Sequence, residues 1–448
     1  MKALPKAPSL ETQSIDAGIR ILSSMRSKAV REFVAKANRE YYHWEEVRRR
    51  LPPEGLTTEE AWHAVYFSRM ARIPLPFTDG VGKPFAYWLP DHAQQVLHTV
   101  DRLGGGTLGT DLGMGDGFAE MKDRVLIDSL MEEAIATSQI EGAVTTRKVA
   151  KDLLRSGRPP SSRSERMIVN GFETIRMLHR DRSRDLSIEM LHEIQTSMTR
   201  ETLDDENHAG RFRGDADKVH VVDVRDNEVV FTPPAARSLG GRLKKLIEFA
   251  NRQRDTDPFI HPLVKASILH FWLAYEHPYC DGNGRTARAL FYWSMLRDGY
   301  WLFEYLTISR IIHNAPRRYY RSFLHVQQDN NDLTYFLMFQ LDVTRRALGQ
   351  LHDRVREISA EQQRMRSLRV TAVRGLNSRQ RALLDHALRH PNQIYTFESH
   401  GSSHAVNNQT ARNDMLSLLK LGLLDEIGGK RPREFAPSPK LEAKLGIK

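Results

Sequence analysis

Cysteine is almost absent from this chain. A single copy, Cys280, excludes an intramolecular disulfide and a cysteine-rich zinc centre. Long apolar runs are missing as well; none approaches the ~18 residues that would span a bilayer. The first ten residues hold two lysines and two prolines without an apolar centre, so no secretory leader is expected. These absences point to a reducing, cytoplasmic setting and to no membrane partner. Internal repeats are not evident, and strands do not alternate with helices as a parallel sheet would require. What is present is ordinary for a folded protein: 448 residues, 40% hydrophobic and 27% charged. That length suggests about three domains. The net charge of +10 favours polyanionic partners such as nucleotides or nucleic acid, without naming one.

The dominant pattern is amphipathic helix, so the fold class is mainly α. Residues 1–103 read as a helical block around Trp44, Val47 and Trp62, followed by a loop rich in Pro and Gly over 73–84. The glycines of 104–117 lack a preceding apolar strand and the spacing of a dinucleotide fingerprint, so they read as a linker. A helix from Met121 carries Val125, Leu126, Leu130, Ala134 and Ile135 on one face and runs to Glu141, where Gly142 can stop it. Further helices are expected over 165–179, 187–198, 236–251, 261–276, 284–298 and 332–364. Short β-rich runs at 219–223 and 228–232 flank Arg225, Asp226 and Asn227 and read as a hairpin.

The chemistry concentrates in His277-Pro-Tyr-Cys-Asp281-Gly-Asn-Gly-Arg285-Thr-Ala-Arg288. One helix is expected to end near Glu276 and the next to begin near Gly284. Gly282, Asn283 and Gly284 can then present backbone N–H groups at a helix N-terminus, which attracts anions. Arg285 and Arg288 lie three apart, on nearly one helix face. Two guanidiniums beside such a nest suit a di- or triphosphate. Asp281 is the hard oxygen ligand that a phosphate-bound Mg²⁺ takes. His277 is the side chain here that can exchange a proton near neutrality. A base, a metal carboxylate and a phosphate cradle within twelve residues point to phosphoryl or nucleotidyl transfer.

This segment resembles the signature of the Fic family, with Tyr279 where phenylalanine is usual. His261-Pro-Leu-Val-Lys-Ala, the hairpin at 219–234 and Tyr319-Tyr320 extend the resemblance over about 120–365, within a core domain of 104–365. The resemblance implies a helical Fic core that transfers AMP from ATP to a Ser, Thr or Tyr hydroxyl of a protein. It implies His277 as the base and Asp281 as the Mg²⁺ ligand. Gly282, Asn283, Gly284, Arg285, Thr286, Ala287 and Arg288 would form the nucleotide cradle, with Tyr319 near the adenine. Val219, His220, Val221 and Val222 would be the flap, part of 217–234, that pairs with the target backbone as an added strand. UTP, GTP and transfer of phosphate or phosphocholine stay open at this point.

Thr137-x-x-x-Glu141-Gly142 resembles the inhibitory motif of the same family, placed on a helix of 121–142. It implies that Glu141 pairs with Arg288 and occupies the γ-phosphate position. The same glutamate also helps to remove AMP in some relatives.

The last block, 370–448, carries helical patterns over 378–389, 397–404 and 408–420, then an extended basic tail. Leu376–Pro439 resembles a winged helix-turn-helix, with Lys430, Arg431 and Arg433 in the wing. Over 371–448 there are 12 basic and 7 acidic residues, which permits DNA binding. Two readings therefore stand: an autoinhibited Fic-type adenylyltransferase, and a DNA-binding regulator whose core senses nucleotide or modifies itself. The N-terminal block would serve packing and dimer contacts.

Overall fold

The computed structural model describes residues 5–8, 15–104, 116–222, 228–253, 257–367, 375–428 and 433–445. Helices dominate, and the sheets among these residues are two-stranded hairpins. The chain opens with α1 (Ile15–Ser24), α2 (Lys28–Glu40), the one-turn α3 (Trp44–Val47) and α4 (Thr58–Ser68). Thr57 starts α4 with a capping box: its Oγ1 accepts from Glu60 N at 3.1 Å, and Glu60 Oε2 accepts from Thr57 N at 2.8 Å. Ile21, Val30, Val34, Trp62 and Val65 bury a small core of their own. Arg69 is wholly buried and donates to Ala37 O, Tyr42 O, Asn38 Oδ1 and Tyr335 Oη, tying this block to the rest of the chain.

The expected loop at 73–84 is in part a β-hairpin, β1 (Ile73–Thr78) with β2 (Pro84–Tyr87). Pro74 and Pro76 face outward on this edge pair, where a missing N–H costs nothing. Leu75 and Phe77 alternate with them and are buried. Phe77 stacks on Trp272 at 4.2 Å and on Phe85 at 4.6 Å. The prolines masked a period-2 pattern in the sequence. The hairpin and α5 (Asp91–Gly104) pack into the central core through Leu75, Phe77, Phe85, Tyr87 and Val96. The boundary drawn at residue 103 therefore falls inside a packed unit, and the separate N-terminal core ends with α4.

Most of the glycine-rich stretch lies outside the described residues, and α6 (Asp116–Ile140) begins at Asp116 rather than Met121. Every residue of α6 from Ser129 to Ser138 is buried. α7 (Arg147–Ser156), α8 (Arg163–Arg180) and α9 (Ile188–Thr199) follow. The hairpin β3 (Val221–Val222) with β4 (Val229–Phe231) is shorter than expected, with Val221 opposite Phe231; Arg225, Asp226 and Asn227 lie outside the described residues. After α10 (Leu239–Asn251) come α11 (Pro262–Glu276) and α12 (Asn283–Arg297), the helices at the centre of the core. Both are buried around nearly their whole circumference; α11 is mostly apolar, as a helix enclosed on all sides usually is, whereas α12 also encloses Asn283, Arg285, Thr286 and Arg288. α13 (Ile308–Asn314), α14 (Pro316–Gln328) and the long α15 (Thr334–Ser367) complete the shell.

The C-terminal unit has its own core of Leu384, Met415, Leu418, Leu424 and Phe435. α16 (Ser378–Arg389), α17 (Phe397–His404) and α18 (Asn408–Lys420) match the expected spans. After α18 the strand and wing expected from the sequence fall on a hairpin, β5 (Leu424–Gly428) with β6 (Glu434–Pro437), and the tail beyond it holds a one-turn α19 (Leu441–Lys444). Its apolar residues Leu424, Phe435 and Leu441 close the small core, which is what holds the tail down. Lys430 and Arg431 lie outside the described residues, while Arg433 pairs with Glu426 across the hairpin at 2.6 Å. α17 sits against α6 and α7, with the Glu398 side chain over Gly157, where a Cβ would come within 2.6 Å of Oε1.

Candidate active site

The site forms where α11 stops and α12 starts. His277 caps α11 in the left-handed region (φ 47°), a conformation unusual for a side-chain-bearing residue. Arg213 braces it. This guanidinium donates to His277 O at 2.8 Å, Pro234 O at 2.5 Å and Glu276 O at 3.1 Å. Its own N–H reaches Pro278 O at 2.8 Å. One residue thus joins Pro234, at the end of the expected flap, to the His277–Arg288 loop. Arg213 sits in a loop, carries no periodic signal, and was missed in the sequence.

His277 Nδ1 lies 3.3 Å from Ala274 O. A carbonyl partner assigns the proton to Nδ1 and leaves the Nε2 lone pair free. Burial pushes the imidazole pKa down to about 4, against the opposing pull of the Ala274 carbonyl and Glu141. The ring is therefore neutral at pH 7, the form a general base needs.

Tyr279 anchors the loop. Its ring is fully buried against Phe212 and His192, with the hydroxyl 3.3 Å from His192 Nδ1. Asn283 locks the same loop: its Oδ1 accepts from Tyr279 N at 2.9 Å and its Nδ2 donates to Tyr279 O at 2.7 Å. The Asn283 side chain is thereby spent on the loop, leaving its backbone to face an anion. Thr286 donates Oγ1–H to Gly282 O at 2.9 Å, and Ala287 is fully buried in the core. The Thr286 hydroxyl is thus engaged within α12 and the Ala287 methyl enclosed in the core.

Gly282 caps α12 at φ 82°, and a Cβ there would meet Thr199 Cγ2 at 2.6 Å. The conformation and the crowding both require glycine. Arg285 and Arg288 are buried from the same helix. Arg285 Nη1 holds Met198 O at 2.8 Å, and Nη2 lies 3.5 Å from Asp281 Oδ1. Arg288 Nε donates to Thr137 Oγ1 at 2.7 Å; its Nη2 reaches Thr137 O at 3.1 Å and Glu141 Oε1 at 2.8 Å. Among the described residues, Arg285 Nε and Arg288 Nη1 are buried without a hydrogen-bond partner. Buried guanidinium N–H groups left unpaired are costly, and an anion would satisfy them.

The Glu141 carboxylate already lies in that space. A Cβ on Gly284 would collide with Glu141 Oε1, so the carboxylate rests against the N-terminal turn of α12. Burial would raise its pKa, but Arg288 and Arg285 overcome that and hold it below the usual carboxylate range. Gly142 follows at φ 95° and turns the chain away from α6.

Asp281 is half exposed. Its Oδ1 accepts from Gly282 N at 2.5 Å, and Oδ2 lies 4.0 Å from Arg163. Tyr319 is buried, with its hydroxyl 2.9 Å from His270 Nε2 and its ring close enough to Arg288 and Glu141 to feel their charges. α14 turns that ring into the core, whereas neighbouring Tyr320 is 40% exposed. On the flap, Val219 and His220 precede β3, Val221 and Val222 form it, and Val222 and Val229 are exposed.

Residues 185–295 match the model of the Fic/DOC family, so the chain carries a Fic/DOC domain. That stretch includes the flap and the whole His277–Arg288 loop, but not Thr137, Glu141 or Gly142. Two curated relatives are adenylyltransferases. The protein adenylyltransferase fic-1 of Caenorhabditis elegans is 36% identical over 93 residues, 20% of this chain and 18% of that protein. The protein adenylyltransferase Fic of Nematostella vectensis is 30% identical over 162 residues, 34% of this chain and 33% of that protein. The matches thus span a fifth to a third of those relatives. Among solved structures, a Fic family protein from Desulfovibrio desulfuricans is similar at a TM-score of 0.48, with 18% identity over 81% of this chain and 99% of that one.

Proposed function

We propose that this chain is a protein adenylyltransferase, transferring AMP from ATP to a hydroxyl side chain of a protein and restrained by Glu141. The observation that carries the reading is the convergence of a neutral His277, Asp281 and two buried guanidiniums with unpaired N–H groups on the N-terminus of α12. The target oxygen attacks the α-phosphorus, a P–O bond forms, the bond to the β-phosphate oxygen breaks, and pyrophosphate leaves. His277 Nε2 takes the hydroxyl proton. The first N–H groups of α12 and Arg285 serve the α- and β-phosphates, and Arg288 serves the γ-phosphate. Arg213 holds His277 in place during proton transfer.

Asp281 suits Mg²⁺. One of its oxygens is engaged by Gly282 and the other faces outward, and a single carboxylate with phosphates and water is a usual magnesium environment. When bound, the ion would neutralise phosphate charge. The flap edge at Val221–Val222 would take the target as an added strand, which the exposed Val222 supports.

Glu141 blocks the γ-phosphate position while it pairs with Arg288. The test is intact-mass measurement of the Glu141→Gly protein after incubation with Mg²⁺ and each nucleoside triphosphate. An AMP adduct on the chain or on an added protein supports the reading. No nucleotide-dependent adduct on the chain, together with no transfer to a cell extract, overturns it.

A second reading rests on the C-terminal unit. Three helices and a hairpin in this order support a winged helix-turn-helix, and Gln409, Arg412 and Asn413 are exposed along α18. That face suits a DNA groove. A salt-dependent gel shift with genomic fragments tests it. Among the described residues no helix is long and apolar enough to cross a membrane.

A further inference from the structure

A second cluster of ligating side chains lies beside the catalytic loop, and the transfer chemistry does not use it. His208, Asp217 and Cys280 bring Nε2, a carboxylate oxygen and Sγ to within 4.8 Å of one another. His208 Nε2 is 3.6 Å from Asp217 Oδ1 and 3.8 Å from Asp205 Oδ2. Around a tetrahedral zinc, neighbouring ligand atoms stand ~3.3 Å apart for N and O and ~3.6 Å apart where sulfur is one, by the usual bond lengths. The cluster is therefore within side-chain adjustment of a four-ligand site.

We propose that Cys280, His208 and Asp217, with Asp205 as fourth ligand, bind one thiophilic divalent cation of the zinc class. The imidazole, the thiolate and two carboxylates are the donor set such an ion takes; magnesium rejects sulfur. As the S–Zn bond forms, the thiol proton leaves to solvent. Thiolate and two carboxylates carry three negative charges. The ion contributes two positive charges and Arg211, which donates to both Asp217 oxygens at 3.0 and 3.2 Å, contributes one. The loaded cluster is neutral. The ligands are also held from behind. Asp217 Oδ2 accepts from Gly214 N at 2.6 Å and Asp205 Oδ1 from Asn207 N at 2.9 Å; Asp217 Oδ1, which also accepts from Arg211, and Asp205 Oδ2 are the oxygens nearest His208. Such outer hydrogen bonds orient ligating carboxylates.

The placement gives the site a consequence. Asp217 lies four residues before β3, and Cys280 lies between Tyr279 and Asp281. A bound ion would therefore tether the chain leading into the flap to the loop that carries His277.

Because Cys280 is the single cysteine, a cobalt titration of the full chain is decisive. Co²⁺ should give a near-ultraviolet thiolate-to-cobalt band with tetrahedral visible bands, saturating at one equivalent and erased by Zn²⁺. Cys280→Ser, checked for folding by circular dichroism, should lose the near-ultraviolet band, and His208→Ala should weaken cobalt binding by roughly 10–100-fold. On the unaltered protein, one equivalent of Zn²⁺ should slow alkylation of the thiol at least about tenfold, since a metal-held sulfur is no longer a free nucleophile, while Mg²⁺ should not. Saturating cobalt without a thiolate band, unchanged affinity in His208→Ala, or equal alkylation rates with and without zinc would each overturn the site. None of these readouts depends on AMP transfer.

Discussion

Arg288 Nη2 donates to Glu141 Oε1 at 2.8 Å, and that same oxygen presses on Gly284 at the first turn of α12. The pair joins α6 to α12, which are 147 residues apart in sequence at this contact. On the proposed function, it places the protein's own carboxylate where the helix N-terminus and two guanidiniums would receive phosphate. The first prediction follows from it. A charge-assisted hydrogen bond is worth about 1.5–3 kcal/mol. At ~1.4 kcal/mol per tenfold, Glu141→Gly should raise AMP transfer about 30-fold, and His277→Ala should abolish it in either background. Labelled ATP with a protein acceptor measures both; an unchanged Glu141→Gly rate would remove the brake.

The pH profile of the released enzyme should lack the usual histidine limb. Burial pushes His277 to about 4, and losing Glu141 removes one of the influences that raises it. The base form is the neutral ring, so it persists as pH falls to about 5. Transfer by Glu141→Gly should stay level between pH 8 and about 5, whereas an ordinary histidine would halve the rate near ~6.5. A midpoint near the ordinary value would show that the His277 ring is solvated.

Acid should weaken the seam between the N-terminal helices and α14. His43 and His325 stack at 4.3 Å, and burial pushes their pKa values down to about 4 and about 3. Both folded values lie below the unfolded one. Between those values the unfolded chain binds more protons, so stability is full above ~6.5 and falls as pH drops, by about 1.4 kcal/mol per unit for each ring. Urea midpoints at pH 7.5 and 5.5 should differ, and His325→Gln should flatten the difference. Equal midpoints in the unaltered protein would mean that both rings already protonate in the folded state.

Tyr279 tests what its position requires. Tyr279→Phe removes only a 3.3 Å contact with His192 and should cost at most about 1 kcal/mol, with AMP transfer unchanged. Tyr279→Ala opens a cavity under the catalytic loop and should cost about 3–5 kcal/mol. Thermal melts of both variants, read beside their transfer rates, separate anchor from chemistry.

Asp414 is the buried hub of the C-terminal unit. Asn377 and Arg379 donate to it at 2.6 Å, and His400 lies at 3.3 Å. Asp414→Ala leaves those donors unpaired and should loosen α16–α18 by about 2 kcal/mol. Hydrogen exchange should rise in those helices and stay unchanged in α11 and α12.

Much of this architecture was readable because helical periodicity and local capping are short-range. The spans of α16, α17 and α18 follow from apolar spacing and from caps at Asn377, Thr396 and Asn407. The hairpin at β1–β2 was not readable, because Pro74 and Pro76 resemble loop punctuation until Trp272 is seen stacking on Phe77. Tyr319 follows the same logic: its place in the sequence says nothing about the side of α14 on which it lies, and packing turned it inward.

From residue order alone came the chemistry on offer: an imidazole, a carboxylate and two guanidiniums spaced for one helix start, with a distant glutamate beside a glycine. Only the tertiary structure decided which groups remain available. It spent Asn283 on Tyr279, set Arg213 under His277, and left nitrogens of Arg285 and Arg288 unpaired among the described residues, with Glu141 before them. The physical reason is range. Spacing along a helix is set by bonds a few residues long, whereas the pairing of a buried charge is settled by whatever the rest of the chain brings within about 3 Å of it.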